Sequence, residues 1–578
     1  MKKLLLLFLF LITYCIGSAQ ANTFPYVREW ATFNPQGYYT NYFNETVSKN
    51  GNTIVASSRN IPFISIVSLL PINPNENGHL LLGIINPSGN YILAKPFGGP
   101  DSLNTSSAIT KIRTDELNQI YFVGRTSNPN STFGTTGTHQ PTFSNNVYQD
   151  TVFFNDEPIL AAPRLAKEGF VVKFDAEGNQ LWGTYISGNK DVDLSTFYER
   201  NGYLYVTGST NSQIGISTPN TNQTQYQTET NSACFLMKFD ATTGQRIWGT
   251  YIGAMGCYSN VTVDSNDNIY LKNTTNTGFV KLNSQGQFVS EIILEDGFNI
   301  TASPLIDDAD NFYVQVRDLG TESHGTAGTY KPIKTVNEEI LLIKYNNAFV
   351  KQWATYYNSM GIPVSVNTPG DAINFIGEDK GAVLITLSVN VPNLATSNSF
   401  QTTYNGNVDV LFLSLSTFTG QLNWASYYGG SATEYPSSVR ADALENIYLI
   451  GKSNGTDTVI SENAEFEATD FGIINEYYHR YFIAKFAKTN TANTNDFSTA
   501  DFVIFPNPVT SDLNIQSKQT FTSDAFFEVY DQLGKKVYEQ KGLDTNLNTL
   551  NLEHLYTGLY FLKVINGDQE QIFKILKK

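Results

Sequence analysis

Short apolar runs in which only one or two positions are polar recur along this chain, each closed by a turn. Phe170-Val-Val-Lys-Phe-Asp175, Phe235-Leu-Met-Lys-Phe-Asp240 and Leu411-Phe-Leu-Ser-Leu415 are followed by glycines at 178, 244 and 420. Runs of this length bounded by turn residues predict strands. Each run precedes a second phrase that holds all five tryptophans: Trp30-Ala-Thr-Phe33, Trp182-Gly-Thr-Tyr185, Trp248-Gly-Thr-Tyr251, Trp353-Ala-Thr-Tyr356 and Trp424-Ala-Ser-Tyr427. Downstream comes an Asp- and Asn-rich hairpin ending in an aromatic strand, as in Val263 to Leu271 and Ala441 to Gly451.

Two further copies lack tryptophan. One runs from Leu81 through Gly89 and Leu93 to Gly124; the other runs from Phe279 through Gly286 to Val314. With anchors at residues 30, 93, 182, 248, 290, 353 and 424, seven copies recur every ~66 residues on average. Each copy reads as four strands: the Phe-x-x-Lys-Phe strand, the Trp strand and two hairpin arms. Repeated four-stranded units predict an all-β chain, a seven-bladed β-propeller. The first copy has no room for its Phe-x-x-Lys-Phe strand, and a supernumerary one stands at Tyr481 to Phe486. That strand is expected to complete the first blade and close the ring, hiding the sheet edges. Residues 31, 183, 249, 354 and 425 are all Gly or Ala. Because side chains alternate faces along a strand, a small residue there offsets the Trp on the other face. The five tryptophans are accordingly read as core.

These units resemble the SBBP-type bacterial β-propeller repeat, most closely at Tyr427-Tyr-Gly-Gly430 and the Asp442 to Tyr448 hairpin. The resemblance covers roughly residues 22–488 and implies a seven-bladed ring. It implies little about activity, because propellers serve as binding platforms, structural modules and enzymes.

Composition changes the picture in one direction. The chain has 578 residues, only 16% of them charged, 13% aromatic, and a net charge of −16. Few charges and many aromatics suit strands buried on both faces, and net acidity disfavours a nucleic-acid partner or an anionic membrane. Lys2-Lys3, the apolar run Leu4 to Ile12 and the small residues Gly17 to Ala21 follow the order of a secretory signal peptide. Cleavage after Ala19 or Ala21 is expected, giving a 1–19 leader read by the Sec machinery. Its loss removes two lysines and no acid, so the mature charge becomes −18. Cys15, preceded by the bulky Tyr14, fits a lipoprotein motif poorly. No second apolar run of membrane length follows.

Thr489 to Ala500 reads as a Thr/Asn-rich linker, and residues 501–578 as a small Ig-like β-sandwich. In order, this segment carries Pro506-Asn507-Pro508, a Tyr530-Asp531-x-x-Gly534-Lys535 hairpin, a Gly558-x-Tyr560-Phe561 strand and the end Lys577-Lys578. It resembles the type A C-terminal sorting domain of the Bacteroidota type IX secretion system. The resemblance implies passage through that outer-membrane translocon to the surface or medium. The proline turn is expected to be structural, and the surface read by the translocon to lie near the terminal strands.

No catalytic, cofactor or metal site is recognised: the five His are scattered, and no His-Glu-x-x-His, Cys-x-x-Cys, phosphate loop or nucleophile elbow occurs. Cys234 and Cys257 fall in one repeat and are candidates for a disulfide or for buried thiols. Asp264-x-Asn266-x-Asn268 has the look of a calcium loop, but its counterparts at Asp307 and Asp442 occupy the same hairpin turn, which Asx bonding explains. Phe239 to Trp248 looks like the tryptophan-docking motif of quinone dehydrogenase propellers. Those rings have eight blades, a vicinal Cys pair and calcium ligands not placed here. Glu338-Glu339 could serve glycosidic cleavage, and Tyr38-Tyr39, Tyr356-Tyr357 and Tyr477-Tyr478-His479-Arg480 could stack on sugars, the last in a loop. Core packing is preferred for the tyrosines.

The leading expectation is an exported propeller that binds an extracellular ligand, a glycan or a protein, through long loops such as Asn128 to Glu168. A polysaccharide-active lyase or hydrolase and a structural adhesin or gliding-surface component are the alternatives.

Overall fold

The computed structural model describes residues 24–33, 43–58, 78–100, 106–154, 157–225, 232–253, 261–357, 373–376, 381–455, 460–461, 480–489, 502–517, 520–522, 525–531, 535–543, 545–566 and 569–578. Two compact units divide the chain, Met1–Thr489 and Asn490–Lys578. Every regular element among the described residues is a strand, and all strand pairs within the sheets are antiparallel.

Among the described residues the first unit is a propeller-like succession of seven sheets of four or five strands, with two two-stranded ribbons besides. Sheet 1 comprises Phe43–Val47, Thr53–Ser58, Gly78–Ile85 and Tyr91–Gly98; sheet 2 comprises Ser107–Thr114, Ile120–Thr126, Glu168–Phe174 and Gln180–Ile186. Sheet 3 holds Val192–Arg200, Tyr203–Thr210, Ala233–Asp240 and Arg246–Tyr251, and sheet 4 holds Thr262–Val263, Ile269–Lys272, Gly278–Leu282 and Phe288–Ile293. In sheet 5 the short strands Phe298–Ile300 and Leu305–Ile306 both pair with Phe312–Asp318, followed by Glu339–Tyr345 and Lys351–Tyr356. Sheet 6 is Ile373–Ile376, Ala382–Val389, Asp409–Ser416 and Leu422–Tyr428. Sheet 7 takes Glu434–Ala441, Ile447–Ser453 and Arg480–Lys488 from the end of the unit and Tyr26–Phe33 from its start.

All seven sequence anchors lie on the outer strand of a sheet, but the sequence copy and the sheet are out of phase. The hairpin that follows each Trp strand joins the next sheet, so a copy straddles two sheets. Hydrogen bonding explains the offset: the second hairpin arm ladders to the next Phe-x-x-Lys-Phe strand, for instance Ile120–Thr126 to Glu168–Phe174. Every outer strand carries a bulge at the residue before its anchor. Leu181, for example, is skipped between Trp182, paired with Lys173, and Gln180, paired with Phe174.

The tryptophans join one sheet to the next. Trp182 Nε1 in sheet 2 donates to Ala241 O in the last turn of sheet 3, at 3.1 Å, and Lys173 Nζ reaches the same carbonyl at 3.0 Å. Trp353 and Lys344 of sheet 5 both donate to Thr417 O of sheet 6, each at 3.0 Å. Trp248 of sheet 3 donates to Ser284 O of sheet 4. Trp30 and Lys485 of sheet 7 donate to Pro87 O of sheet 1, at 2.8 and 3.1 Å. Trp424 instead meets Phe24, Tyr26 and Phe412 edge-on. Each of the other four indoles lies on a turn glycine: a Cβ on Gly244, which has φ +68°, would come within 2.8 Å of the Trp182 ring. The indoles are all buried.

Arg480 departs from expectation. It is no loop residue but the buried first residue of its strand, donating to Gly455 O and lying over the Phe33 ring. Tyr477, Tyr478, His479, Tyr38 and Tyr39 lie outside the described residues. Tyr356 and Tyr357 are buried, as the core reading requires.

The second unit is a sandwich of a three-stranded sheet (Phe502–Phe505, Asp512–Ser517, Leu547–Asn551) and a four-stranded one (Phe526–Tyr530, Lys536–Lys541, Gly558–Asn566, Gln569–Lys577). Leu513, Ile515, Phe527, Val529, Leu550, Leu562 and Val564 form its core.

Removing the Trp182 ring empties a core position, so Trp182→Ala should lose about 3–5 kcal/mol. Trp182→Phe keeps most of the bulk and gives up only the bond to Ala241, and should lose about 1–2 kcal/mol. Guanidinium unfolding followed by circular dichroism measures both, and a Phe variant as stable as the parent would assign the whole effect to bulk.

Candidate binding face and export tail

The two ends of the sheets in the first unit differ in chemistry. At one end the chain reverses in tight Asx turns. Asp264 accepts the N–H groups of Asn266 and Asn268, the Asn268 amide and the Tyr270 hydroxyl. Asp307 and Asp442 repeat this set. The carboxylate oxygens are thus occupied by turn donors. Burial, then the adjoining carboxylate, pushes the Tyr270 hydroxyl well above its ordinary pKa.

At the other end emerge the long connections between the second and third strands. Each described one begins with an extended strap laid along the free edge of its own outer strand. In sheet 2, Thr135 N–H and the Thr138 hydroxyl donate to Gly183 O, Gly183 N–H donates to the Thr135 hydroxyl, Gln140 N–H donates to the Thr184 hydroxyl, and Tyr185 N–H returns a bond to Gln140 O. Thr218, Thr221 and Gln223 do the same to Gly249, Thr250 and Tyr251, as do Thr326, Thr329 and Lys331 to Ala354, Thr355 and Tyr356. In sheet 6 Thr396 and Gln401 hold Ala425, Ser426 and Tyr427, and in sheet 7 Ser461 and Ala31 exchange bonds. The phrase Thr-x-x-Thr/Ser-x-Gln/Lys was legible in the sequence but sits at varying distances from the Trp phrase.

The strap gives the small residue of the Trp phrase a further cause. A Cβ on Gly183 would lie 2.0 Å from Phe133 O, so the strap backbone, as well as a neighbouring sheet, crowds that face. The loop Asn128 to Glu168 is therefore divided. Its first part is strap, and only the two ribbons beyond it project, Val147–Tyr148 with Arg164–Leu165 and Thr151–Phe154 with Glu157–Leu160. They expose Val147, Ile159 and Leu160, over a base held by Arg164, Asp150 and Asp191.

Buried carboxylates pin the straps from below. Glu168 accepts from Ser144 and Gln140, Glu339 from Thr335 and Lys331, and Asp409 from Asn405 N–H and Gln401. Glu339 is thus committed to its strap, while Glu338 faces solvent beside Arg317. Opposite Glu339 in the ladder stands a second buried acid, Asp318. It accepts from Gly320 N–H (3.0 Å), His324 Nδ1 (2.9 Å), the Tyr356 hydroxyl and Lys334 (3.2 Å). Burial pushes the Asp318 carboxyl up, but these donors outweigh it and hold it below the usual carboxylate range. An ionised Asp318 can only accept, so His324 Nδ1–H donates to it, which in the neutral ring leaves the lone pair on Nε2. Sheets 2, 3 and 6 carry Phe133, Ile216 and Leu394 where sheet 5 carries His324, so among these four described straps the polar cluster is particular to sheet 5. His324 stands six positions after Asp318, across a strand end, a spacing without a signature.

Cys234 is buried and disulfide-bonded; Cys257 lies outside the described residues.

In the second unit, Asn507 ties the proline turn to the last strand: its amide donates to Lys574 O, and Leu576 N–H donates to its Oδ1. Pro506 and Pro508 flank it, and Val509 exchanges backbone bonds with Leu576 and Lys578. Lys535 N–H donates to the Asp531 carboxylate, closing the hairpin whose Gly534 lies outside the described residues. Tyr530 bonds Glu528, Tyr560 bonds Tyr556 O, and Phe561 is part-exposed beside Gly558 on the same strand. Lys577 is largely buried and Lys578 exposed.

Residues 503–578 match the family described as the secretion system C-terminal sorting domain. The chain is thereby exported by the type IX system to the cell surface or the extracellular space. Comparison with curated proteins returns no match. Among solved structures, the chain is similar to virginiamycin B lyase from Staphylococcus aureus, with 10% identity over 80% of this chain and 99% of that one, at a TM-score of 0.36. It is similar to a protein of unknown function from Dyadobacter fermentans, with 8% identity over 80% and 99%, at 0.34. A gluconolactonase from Xanthomonas campestris shares 12% identity over 47% of this chain and 67% of its own, at 0.23. These likenesses carry no reaction over to this chain.

One carboxylate of the loop end titrates within reach of experiment. Burial lifts Asp409 from 3.8 to about 6, against the bonds from Asn405 and Gln401. The folded chain therefore holds a proton that the unfolded chain has released. This contribution to stability is whole below pH 3.8 and is lost as pH rises through about 6. Asp409→Asn, neutral throughout, should gain on the parent by about 1–3 kcal/mol between pH 4 and pH 7.5. Paired denaturant titrations at the two pH values check this, and a difference independent of pH would refute it.

Proposed function

We propose that this chain is an exported, seven-bladed β-propeller that binds an extracellular ligand, a glycan or a protein, at the cell surface. The observation that carries the reading is the asymmetry of its ends. Tight Asx turns close one end, while the described long connections emerge at the other, each strapped to its sheet by main-chain bonds. A face whose loops are held in advance loses little conformational freedom on binding.

Closure of the ring is supported by three features. Tyr26–Phe33 pairs with Arg480–Lys488, and Trp30 and Lys485 engage sheet 1 as Trp182 and Lys173 engage sheet 3. The first strand of sheet 7 also lies beside that of sheet 1, where Ser438 donates to Glu45. In this reading residues 1–19 are a Sec leader, 22–488 the SBBP-type propeller, 489–500 a linker and 501–578 the Bacteroidota type A sorting domain delivered to the translocon. The five tryptophans are core, Cys234 pairs with Cys257, and no cofactor or metal is required.

A second reading has one observation in its favour. His324 is oriented by a buried, ionised Asp318 and offers Nε2 at the loop end, the arrangement of a general base. A polysaccharide-active enzyme would use it so.

The mature chain applied to a glycan and surface-protein panel should retain a ligand, and loss of retention on deleting the 147–165 ribbons would place it on the loop face. No retention on any ligand would count against binding. Release of reducing ends or unsaturated sugars, abolished by His324→Ala, would replace the first reading by the second.

A further inference from the structure

We propose that the outer strand of sheet 4, Phe288–Ile293, is an open edge that takes up an extended peptide of a partner protein as a fifth strand. The peptide's facing side carries an apolar–basic–apolar pattern.

In sheets 2, 3, 5, 6 and 7 the outward peptide groups of the outer strand are occupied by the chain's own strap, at Gly183, Gly249, Ala354, Ala425 and Ala31. Sheet 4 has no such strap. Its second and third strands are joined by Asn273–Thr277, a turn that Asn273 closes upon itself through Thr277 and Gly278. Glu291 holds the register of Gly183: it lies opposite Val280, one residue beyond the anchor and its bulge, as Gly183 lies opposite Val172. Leu294 N–H donates to Thr277 O, so even-numbered positions face the neighbouring strand and Glu291 and Ile293 turn their peptide groups outward. Among the described residues, no backbone hydrogen bond reaches either from outside the sheet.

The motif changes in step with the missing strap. Where strapped strands read Trp-Gly/Ala-Thr/Ser-Tyr or Phe, this one reads Ser290-Glu291-Ile292-Ile293, without the hydroxyl that receives a strap. Phe288, Val289 and Ile293 are left 55%, 50% and 59% exposed. Edges open to solvent are ordinarily guarded by charge, proline or cover, whereas this edge is apolar along most of its length. What covers the equivalent edge in the sibling sheets is extended main chain, which identifies the form of the occupant. Its charge follows from the patch: Glu291, exposed although its carboxylate accepts one bond from the Asn273 amide, is acidic, with Asp296 and the Lys351-paired Glu295 just beyond, and Val289 and Ile293 flank it.

The probe is acetyl-Thr-Val-Thr-Lys-Thr-Val-Thr amide, whose Val, Lys and Val share one face. With the mature full-length chain it should bind saturably in fluorescence anisotropy. Replacing Lys by Glu should weaken it about tenfold, and N-methylating alternate peptide nitrogens should abolish binding. Glu291→Pro removes an outward N–H together with the carboxylate that meets the lysine and the bond it accepts from Asn273, and leaves the ladder to Val280 intact, so it should abolish binding. Should that variant fold poorly, Ile293→Lys places a guarding charge on the same edge and should do the same. Failure of the Lys peptide to bind, or equal binding of its N-methylated form, would overturn the proposal. Concentration-dependent self-association lost in Ile293→Lys would overturn it too, by making the occupant a second copy of the chain.

Discussion

An indole laid on the last turn of the neighbouring sheet is the contact on which the first unit depends. A four-stranded sheet with apolar residues on both faces has no stable existence alone, because neither face can be left in water. Trp182, Trp248, Trp353 and Trp30 resolve this by covering the next sheet's turn while their Nε1–H groups find a carbonyl there. The contact thus supplies area and satisfies a donor that burial would otherwise strand. A lysine from the adjacent strand shares the same carbonyl in three of these cases, its stem buried and its charge lying near a tyrosine ring.

That contact decides what the opposite side of the outer strand can do. With the Trp facing the neighbour, the next residue faces a strap that must approach to within main-chain distance, so it is Gly or Ala. The hydroxyl after it receives the strap, and the Tyr beyond anchors the loop, as Tyr185 does to Ser131 and Tyr427 to Val391. One four-residue phrase therefore specifies an inter-sheet joint and a covered edge together. Sheet 4, whose connection is too short for a strap, lacks the phrase as well. The carboxyl pins Glu168, Glu339 and Asp409 belong to the same construction: they sit where the third strand begins and accept from N–H groups that a loop over a sheet end would otherwise leave unbonded.

Strand identity was legible because buried strands write themselves as short apolar runs, and tryptophan marked the outer strand in five sheets. The phase between copy and sheet was not, since hydrogen bonding between a hairpin and the strand after it leaves no periodic trace. Nor was Arg480, whose polar neighbours suggested a loop; a buried guanidinium at a strand end is set by Gly455 O and Phe33, both distant in sequence. The export tail was read in order from Pro506 to Lys578, but the grip of Asn507 on Lys574 and Leu576 depends on a return of the chain that no local pattern encodes.

By itself the sequence determined the strands, the repeat, the core role of the tryptophans and the route of export, all of which rest on local alternation or on contiguous motifs. The tertiary structure alone decided which strands share a sheet, which outer strands carry a strap and that the outer strand of sheet 4 carries none. It also brought Asp318, His324, Tyr356 and Glu339 to one sheet end. The physical reason is range: side-chain alternation is a property of neighbours along the chain, whereas an edge is covered, or a carboxylate satisfied, by groups that only folding brings within hydrogen-bonding distance.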